Sequence, residues 1–298
     1  MNLTAFLLIL VSVFMHAAWN FLGKKESPSS AFFFIAAVAG ALFCLPFVFF
    51  SGVDFFAIPA KFWYILIASV SFNLIYFFAL ASGYRCGDIS LVYPLGRSLP
   101  VLLTAGVTML FNIGGKPLSV NALIGMAVLF IGCVILPLQK WSDFKIQTYF
   151  SKVIFWVLFI SFGATGYTIL DSLDMTILKT VSFSNGVLRA IFFQFAAEVL
   201  ISFGMFWIVI FSARERTELK RIARSYAPWL AGIFPASAYI LVLLAMNQVS
   251  NVCYIQAFRQ MSLPVGMLAG VFILKESCSM PKIIGIILIV SGLIMTSF

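Results

Sequence analysis

Long apolar runs separated by short polar breaks extend along the whole chain. A helix that crosses a bilayer needs about 20 mostly apolar residues, and the sequence contains ten runs of this kind. They cover roughly residues 3–23, 31–51, 62–83, 89–111, 119–138, 152–172, 183–211, 227–247, 250–274 and 281–297. The runs do not alternate between apolar and polar residues as the strands of a membrane barrel do. They therefore predict ten transmembrane helices, numbered here as spans 1 to 10, with loop 1 following span 1.

The composition agrees with a membrane protein rather than a soluble domain. Hydrophobic residues make up 62% of the 298 residues and charged residues 10%, whereas a soluble domain carries about a quarter charged residues. The polar breaks are too short for a separate soluble domain. Span 1 ends in "WNFLGKK" rather than in a small-residue cleavage site, so we expect it to be retained rather than removed as a signal peptide.

The basic residues behind the net charge of +9 lie mostly in loops, where they orient a membrane protein rather than bind nucleic acid. The odd-numbered loops hold Lys24, Lys25, Arg85, Lys140, Lys145, Lys152, Arg214, Arg216, Lys220, Arg221, Arg224, Lys275 and Lys282. The even-numbered loops hold only Lys61, Lys116 and Lys179. The positive-inside rule therefore predicts that the odd loops are cytoplasmic and both termini lie outside. We interpret the basic segment 213–225 as an anchor of this topology, with contact to anionic lipid as the alternative.

The tails of the two halves of the chain repeat each other. "SLPVLLTAG" (98–106) matches "SLPVGMLAG" (262–270), and "IGMAVLFIG" (124–132) matches "IGIILIVSG" (284–292) in the same order. We therefore predict two five-helix repeats, residues 1–139 and 152–298, joined by a loop at 140–151. Because five is odd, the second repeat enters the membrane inverted, and inverted repeats around a central site are a recurring architecture of secondary transporters.

Glycines recur seven residues apart in spans 5 and 10, as Gly125 with Gly132 and Gly285 with Gly292. Seven residues make about two helical turns, so the members of each pair share a face. Small residues allow helices to approach closely in lipid. The spacing predicts helix packing, either between the two halves of one chain or between the protomers of a homodimer.

Besides Lys152 and Lys282 at the very starts of spans 6 and 10, three of the 19 Lys and Arg residues fall inside predicted spans: Arg97 in span 4, Arg189 in span 7 and Arg259 in span 9. An arginine at the bilayer centre costs roughly 2.5–3.5 kcal/mol on insertion scales, and such residues commonly face a wet cavity. The alternatives are a structural buried ion pair or a side chain that reaches the interface. We expect Arg97 and Arg259 to bind substrate and Arg189, nearer a helix end, to have a coupling or structural role.

Other polar residues within the spans lie at helical spacing from one another. Tyr93 lies four residues before Arg97, and Tyr254 and Gln256 lie five and three residues before Arg259. Spans 3 and 6 add Asn73, Tyr76 and Tyr167 as substrate-binding candidates. Asp171, near the predicted end of span 6, and Glu198, stacked on Gln194, are candidates for coupling or structure.

Span 1 carries a polar stripe, because Ser12, His16 and Asn20 are each four residues apart, with Trp19 beside them. These residues are candidates for substrate contact. For Trp19, as for Tyr167, the alternative is an aromatic belt at the membrane interface. His16 is either a packing histidine with satisfied hydrogen bonds or, since histidine titrates near neutral pH, a group that couples transport to protons.

The spans contain more arginine than carboxylate outside helix ends, which favours an anionic or zwitterionic cargo, since the guanidinium fork matches carboxylate and phosphate groups. The segment "NIGGKP" is not a P-loop, because no Ser or Thr follows its lysine. HExxH and GxSxG motifs are absent, and the five cysteines lack metal-site or redox spacing. We therefore expect no cofactor, no bound metal and no enzymatic activity.

Three fragments resemble the drug/metabolite transporter superfamily, and within it the EamA-like transporters of bacteria. They are "MHAAWNFLGKK" in span 1, "VYPLGRSLPVLL" in span 4 and "AFRQMSLPVGMLAGVFILKE" in span 9, and the likeness covers essentially the whole chain. The resemblance implies a central cavity between the halves, lined by spans 1, 3, 4, 6, 8 and 9. The characteristic positions of this branch are His16, Trp19, Asn20, Tyr93, Arg97, Arg259 and Gln260. Span 4 lacks the Gly-Glu ending frequent in the family, whereas Glu276 keeps the acid after span 9.

These features together predict an all-α protein of the bacterial inner membrane that moves a small polar metabolite by alternating access, with export favoured by the family. The substrate, membrane lipids and a coupling ion such as a proton are its expected partners. Three alternatives remain open at this stage: a flippase of the same fold for lipid-linked substrates, a membrane enzyme and a structural membrane subunit. A flippase would need a lateral opening between helices, and an enzyme would need clustered acids or a metal site. A structural subunit would neutralise its arginines with acids of adjacent helices.

The loop charges make a direct prediction about topology. A phosphatase reporter that works only outside the cytoplasm should be active when fused behind Phe298, because both termini are predicted to lie outside. The measurement is phosphatase activity in whole cells. A fusion after Lys140, in loop 5, is the matched control and should be inactive; the reverse pair of results would invert the topology.

Overall fold

The described part of the chain folds into helices joined by short connections. The computed structural model describes residues 3–23, 29–86, 89–144, 152–274 and 278–297, and within these ranges it contains no strand. The helices are α1 (Leu3–Gly23), α2 (Ser30–Val48), α3 (Ala60–Cys86), α4 (Ile89–Phe111), α5 (Val120–Ile135), α6 (Lys152–Leu178), α7 (Gly186–Phe211), α8 (Ala213–Ile222), α9 (Tyr226–Met246), α10 (Val252–Phe258), α11 (Ser262–Leu274) and α12 (Met280–Ser297). Single 3₁₀ turns are formed by Phe55–Ala57, Trp141–Asp143 and Arg259–Met261. The loop residues Lys24, Lys25, Lys145 and Lys275 and the acid Glu276 lie outside the described residues.

Seven helices in the described ranges are long and apolar enough to cross a membrane: α2, α3, α4 from Pro94 onward, α6, α7, α9 and α12. Leu3–His16, within α1, and α5 are shorter apolar helices. The protein is therefore an all-helical, multi-pass membrane protein, in agreement with the apolar runs, because a helix satisfies its own backbone hydrogen bonds in lipid.

Polar caps fix where several helices begin. In a bilayer the first-turn N–H groups of a helix have no water to bind, so a side-chain oxygen that accepts from them is strongly favoured. Such caps are Ser29 (α2), Ser119 (α5), Asn185 (α7), Ser212 (α8), Ser225 (α9) and Asn251 (α10). The isolated polar residues between apolar runs therefore have a structural role at the helix starts.

The helix α6 is longer than its apolar run predicts. It continues to Leu178 rather than ending near residue 172, because the segment "DSLDMTIL" contains no Gly or Pro and places its acids on one buried face. Asp171 and Asp174 are 2% and 0% exposed. The expectation that Asp171 lies near a helix end is therefore wrong, and its carboxylate belongs to the interior of the bundle.

The chain between α10 and α11 is interrupted by the 3₁₀ turn at Arg259–Met261. Pro264 lies in the first turn of α11, where it cannot donate a backbone hydrogen bond to the residue 260 carbonyl, and its ring would crowd that carbonyl in a continuous helix. Within this turn the Arg259 carbonyl accepts from the Ser262 N–H, and it also accepts from Ser262 Oγ at 2.9 Å and from Arg97 Nη2 at 3.2 Å. Predicted span 9 is thus a broken helix whose backbone takes part in a side-chain network.

The four glycines of spans 5 and 10 pack α5 directly against α12. A Cβ atom added at Gly125 would lie 2.6 Å from the Gly292 carbonyl oxygen, and one added at Gly132 would lie 2.8 Å from the Gly285 carbonyl oxygen. Both distances are too short for a carbon atom, so only glycine fits. Of the two alternatives, the structure supports packing between the two halves of one chain.

The other main helix pairs are α3 with α6, α1 with α9, and α2 with α7. Glycines again allow close contact: a Cβ at Gly163 of α6 would lie 2.7 Å from the Phe72 carbonyl oxygen of α3. Gly232 of α9 lies against the Ala36 carbonyl of α2 in the same way. All these pairs join a helix of the first half of the sequence to one of the second half.

The basic segment after α7 forms the amphipathic helix α8, which is anchored by one buried acid. Glu215 is 5% exposed; one oxygen bonds Arg85 Nη1 at 3.0 Å and the other accepts from Ala31 N at 3.0 Å. On the exposed face, Arg221 donates two hydrogen bonds to Glu218 and holds the pKa of that carboxyl below its usual value. The segment therefore ties together the ends of α2, α3 and α7.

Contacts between loops follow the odd and even numbering of the predicted topology. Ser184 N donates to Ser51 O at 2.8 Å, which joins loops 6 and 2, and Lys116 N donates to Ser250 O at 2.7 Å, which joins loops 4 and 8. Among the odd loops, Ser279 Oγ donates to Leu138 O at 3.1 Å. Each of these contacts joins loops predicted to lie on the same side of the membrane.

Substitution of the packing glycines should destabilise the protein. We expect Gly125→Ala and Gly292→Ala each to cost about 1–3 kcal/mol, because the new methyl group meets a backbone carbonyl that cannot move away without separating two helices. Thermal unfolding of the purified protein in detergent measures the effect.

The matched control for these variants is Gly106→Ala on α4, where an added Cβ has nothing within 4 Å. This variant should unfold within about 0.5 kcal/mol of the parent. Equal stability of all three variants would mean that α5 and α12 do not pack closely.

Candidate functional site

A cavity lies in the middle of the bundle, between the helices of the two halves. It has a volume of about 140 Å³, counted as the space open to the centres of water molecules, which is roughly ten times what a single water needs. Its walls come from α1, α2, α3, α4, α6, α7, α9 and Arg259. The resemblance implies walls from spans 1, 3, 4, 6, 8 and 9, and the structure adds α2 and α7 to these.

Most of the predicted site residues whose side chains are described line this cavity. They are His16, Asn73, Tyr76, Arg97, Tyr167 and Arg259. Trp19, Asn20 and Tyr93 lie on α1 and α4, but their side chains fall outside the described part of the structure. Tyr167 is 7% exposed and faces the interior, so the alternative of an interfacial aromatic belt is wrong for this residue.

The two arginines are brought together by the broken helix. Arg97 reaches from α4 to the Arg259 carbonyl, and the Arg259 guanidinium lies 5.3 Å from the centre of the Tyr239 ring. Among the atoms the structure describes, Arg259 Nη1 is buried and has no hydrogen-bond partner. A buried guanidinium with a free donor beside a cavity is suited to bind an anionic group.

Asp171 of α6 lines the cavity and is already hydrogen-bonded. One of its oxygens accepts from Ser69 Oγ of α3 and the other from Tyr239 OH of α9. The carboxylate therefore connects three helices, and Tyr239 contacts both Asp171 and Arg259. This arrangement gives Asp171 a positioning role in the wall, within the coupling or structural role expected for it.

Tyrosines form a contiguous layer next to the arginines. The rings of Tyr76 and Tyr167 have centres 5.7 Å apart, and those of Tyr167 and Tyr239 are 6.2 Å apart, both with edge-to-face geometry. This geometry is the favoured one for aromatic pairs. The layer gives the cavity an apolar surface with hydroxyl groups, which suits a metabolite that has both an apolar part and a charged group.

Two of the three residues in the polar stripe of α1, Ser12 and His16, have described side chains and face the cavity. Ser12 Oγ donates to Ala238 O at 2.8 Å, which ties α1 to α9. His16 shares the cavity with Arg97 and Arg259, so a charged imidazole would add to a positive environment. The position allows contact between the imidazole and a bound substrate.

Tyr254 and Gln260, the other predicted site residues of span 9, do not line the cavity. For Tyr254 the reason is that five residues at 100° per residue turn its side chain about 140° away from Arg259. Gln256, three residues before Arg259, faces the same way as that arginine. Gln260 is 2% exposed and lines, with Gln256 and both arginines, a smaller neighbouring pocket of about 20 Å³.

The two candidate residues of α7 have different surroundings. Arg189 lies in the first turn, with its guanidinium 5.7 Å from the centre of the Phe183 ring, and does not line the cavity. Glu198 does line it and accepts a hydrogen bond from Gln194 Nε2 at 2.8 Å. The predicted Gln194–Glu198 stacking is thus confirmed, and Glu198 belongs to the site.

Tyr239 and Ser69 are site residues that the sequence reasoning missed. Tyr239 is the one tyrosine in the middle of α9, and a search of every predicted span for polar aromatic residues would have found it. Ser69 carries no comparable signal, because small hydroxyl residues are common in membrane helices, where they bond to the preceding turn. The aromatic lining residues Phe33, Phe77 and Phe193 are likewise indistinguishable from other phenylalanines in the sequence.

No protein-family model and no curated protein matches the chain. Solved structures do match, and one of them is described only as "Crystal structure of protein". It superimposes with a TM-score of 0.72 and a sequence identity of 12%, over 99% of this chain and 96% of that chain. At this identity the likeness shows a shared fold, which extends over the full length of both chains.

Removal of the Tyr239 hydroxyl tests the wall of the site. Tyr239→Phe should destabilise the protein by about 1–3 kcal/mol, because Asp171 loses a buried donor while the ring beside Arg259 stays. The measurement is thermal unfolding in detergent, with Tyr226→Phe as control. Tyr226 is 66% exposed, so its variant should not differ from the parent; equal stability of the Tyr239 variant would contradict the network.

Proposed function

We propose that the protein is a secondary transporter that moves a small polar metabolite bearing an anionic group by alternating access. The observation that carries the proposal is the central cavity, into which Arg97 from the first half of the chain and Arg259 from the second half both project. The unpaired Arg259 Nη1 provides a donor for the anionic group. No chemical step is required of the protein, which binds and releases its cargo rather than converting it.

The mechanism requires two inverted repeats of five spans, and the helix packing supports them. If residues 1–139 and 152–298 are equivalent, α1 corresponds to α6, α2 to α7, α3 to α9 and α5 to α12. The pairing of α3 with α6 then has its counterpart in the pairing of α9 with α1. The pairs α2 with α7 and α5 with α12 are their own counterparts, as a two-fold axis in the membrane plane demands.

The broken helix lies where such transporters place their binding sites. Irregular backbone is tolerated at membrane depth only where protein or a cavity surrounds it, and discontinuous helices commonly form the substrate site at the interface of the repeats. The turn at Arg259–Met261 meets both conditions. We infer that opening and closing would occur as one half rocks against the other around this turn.

The resemblance of spans 1, 4 and 9 to EamA-like transporters supports the same assignment and favours export across a bacterial inner membrane. The loop contacts are consistent with odd loops on one side of the membrane and even loops on the other. A structural subunit is disfavoured, because both oxygens of Asp171 accept hydrogen bonds from Ser69 and Tyr239 rather than from an arginine. No specific observation favours the flippase or the enzyme over the transporter.

Loss of either cavity arginine should abolish transport. Arg97→Ala and Arg259→Ala should lower accumulation at least about tenfold while expression stays normal, since a buried charge-assisted hydrogen bond to the substrate is removed. The measurement uses proteoliposomes incubated in a bacterial metabolite extract, followed by mass spectrometry of the compounds that accumulate relative to empty liposomes.

Arg224→Ala is the matched control, because this arginine follows α8, is exposed and does not line the cavity. The control variant should accumulate the same compound at the parental rate. Full accumulation by the Arg97 and Arg259 variants would remove both residues from the binding site, and the absence of any accumulated compound with the parent protein would count against transport itself.

A further inference from the structure

The cavity contains a second polar group away from the arginines, formed by Gln194 and Glu198 of α7. The helix α7 packs against α2, α9 and α3, whereas Arg97 comes from α4 and Arg259 from the turn after α10. The α7 pair therefore occupies a different part of the wall. Nothing in the arginine-based binding of an anion uses it.

This pair offers hydrogen-bond acceptors that the protein leaves unused. Gln194 is 5% exposed, and its Nε2 donates to Glu198 Oε1 at 2.8 Å. Its own Oε1 is buried and has no partner among the described residues. Glu198 forms no ion pair with the described part of the chain; Gln194 is its hydrogen-bond partner there. A buried acceptor without a donor is unfavourable, so the arrangement points to a donor that arrives with a ligand.

The backbone of α2 is shaped to admit the Glu198 carboxyl group. A Cβ atom added at Gly40 would lie 3.0 Å from both Cδ and Oε1 of Glu198. The missing side chain at this position therefore leaves room for the carboxylate at the edge of the cavity. The space for the Glu198 carboxylate therefore depends on α2 as well as on α7.

We propose that Glu198 and Gln194 hold the ammonium group of a zwitterionic substrate whose anionic group lies on Arg97 and Arg259. This inference rests on the proposed transport function and specifies the substrate class. A primary ammonium group carries three donors and no acceptor, which matches the unpartnered Gln194 amide oxygen and a Glu198 carboxylate that accepts from Gln194 Nε2 through one oxygen. Arg259 Nη1 provides the opposite complement, so one molecule with both charges satisfies the two unpaired groups together.

The test varies the number of methylene groups between the ammonium and carboxylate groups of the ligand. The probes are ω-amino acids with one to five methylene groups between the ammonium and carboxylate ends, each compared with the unsubstituted carboxylate of equal length. Binding to the purified protein is measured by thermal shift and by calorimetry. We expect one length to bind best and to exceed its matched carboxylate at least about tenfold, because the second charge gains a charge-assisted hydrogen bond.

Three variants separate the ammonium site from general effects on folding. Glu198→Gln removes the charge and should abolish the preference for the zwitterion while the plain carboxylate binds as before. Gly40→Ala keeps the charge but pushes against the carboxyl group, and it should weaken the same preference. Glu215→Gln, the same change at a buried acid of α8 outside the cavity, should lower stability without altering the preference.

The outcomes distinguish the proposed ammonium site from the proposed transport function. A zwitterion preference that vanishes in Glu198→Gln and survives in Glu215→Gln supports the ammonium site. Zwitterions that bind no better than carboxylates, a preference unchanged in Glu198→Gln, or Glu198-dependent stabilisation by sodium ions alone would overturn it. In those cases, carboxylate binding that is lost in Arg259→Ala would leave the proposed function standing, whereas no binding of any probe would count against both.

Discussion

A guanidinium in the middle of a membrane bundle has to be surrounded by protein or water. The side chains around Arg259 meet this requirement. The ring of Tyr239 lies 5.3 Å from the charge, and the hydroxyl of the same tyrosine donates to Asp171. Ser69 Oγ donates a second hydrogen bond to the same carboxylate. One network therefore connects α3, α6, α9 and the turn at Arg259–Met261, which come from both halves of the chain. It stabilises the charge without a direct ion pair, so Arg259 keeps a donor for another partner.

The backbone break beside Arg259 belongs to the same solution. Pro264 cannot donate to the residue 260 carbonyl, and the backbone forms a 3₁₀ turn in which the Ser262 N–H donates to the Arg259 carbonyl. The same carbonyl also accepts from Arg97, which holds the second arginine next to the first. Two like charges are thus held close by a backbone oxygen, and an anion between them would relieve their repulsion. The irregular backbone at Arg259–Met261 therefore determines where the two arginine charges lie.

The apolar runs predict most of the helical architecture, because hydrophobic length is the dominant requirement in lipid. They do not predict that α6 continues past residue 172, since the run is interrupted by acids whose burial depends on α3 and α9. Helical spacing correctly groups Ser12 with His16 and Gln194 with Glu198. The spacing does not place Tyr254 beside Arg259, because two residues five positions apart differ by about 140° around the helix axis. Ser69 and Tyr239 contact Asp171 only through tertiary packing. The spacing of residues within one helix does not show which other helix packs against it.

The hydrogen bonding of the charged residues in the cavity says more about the ligand than the number of charged residues in the spans. By count, Arg97 and Arg259 face Asp171 and Glu198, and the site is balanced. By hydrogen bonding it is not, because each oxygen of Asp171 accepts from a donor of the protein while Arg259 and Gln194 each retain a buried atom without a partner among the described residues. An apolar ligand would leave both atoms unsatisfied, and a ligand with acceptors alone would satisfy only Arg259. Under the proposed mechanism, a molecule that bridges α7 and the Arg259 turn would also be held or released as these elements move, so recognition and movement would depend on the same contacts.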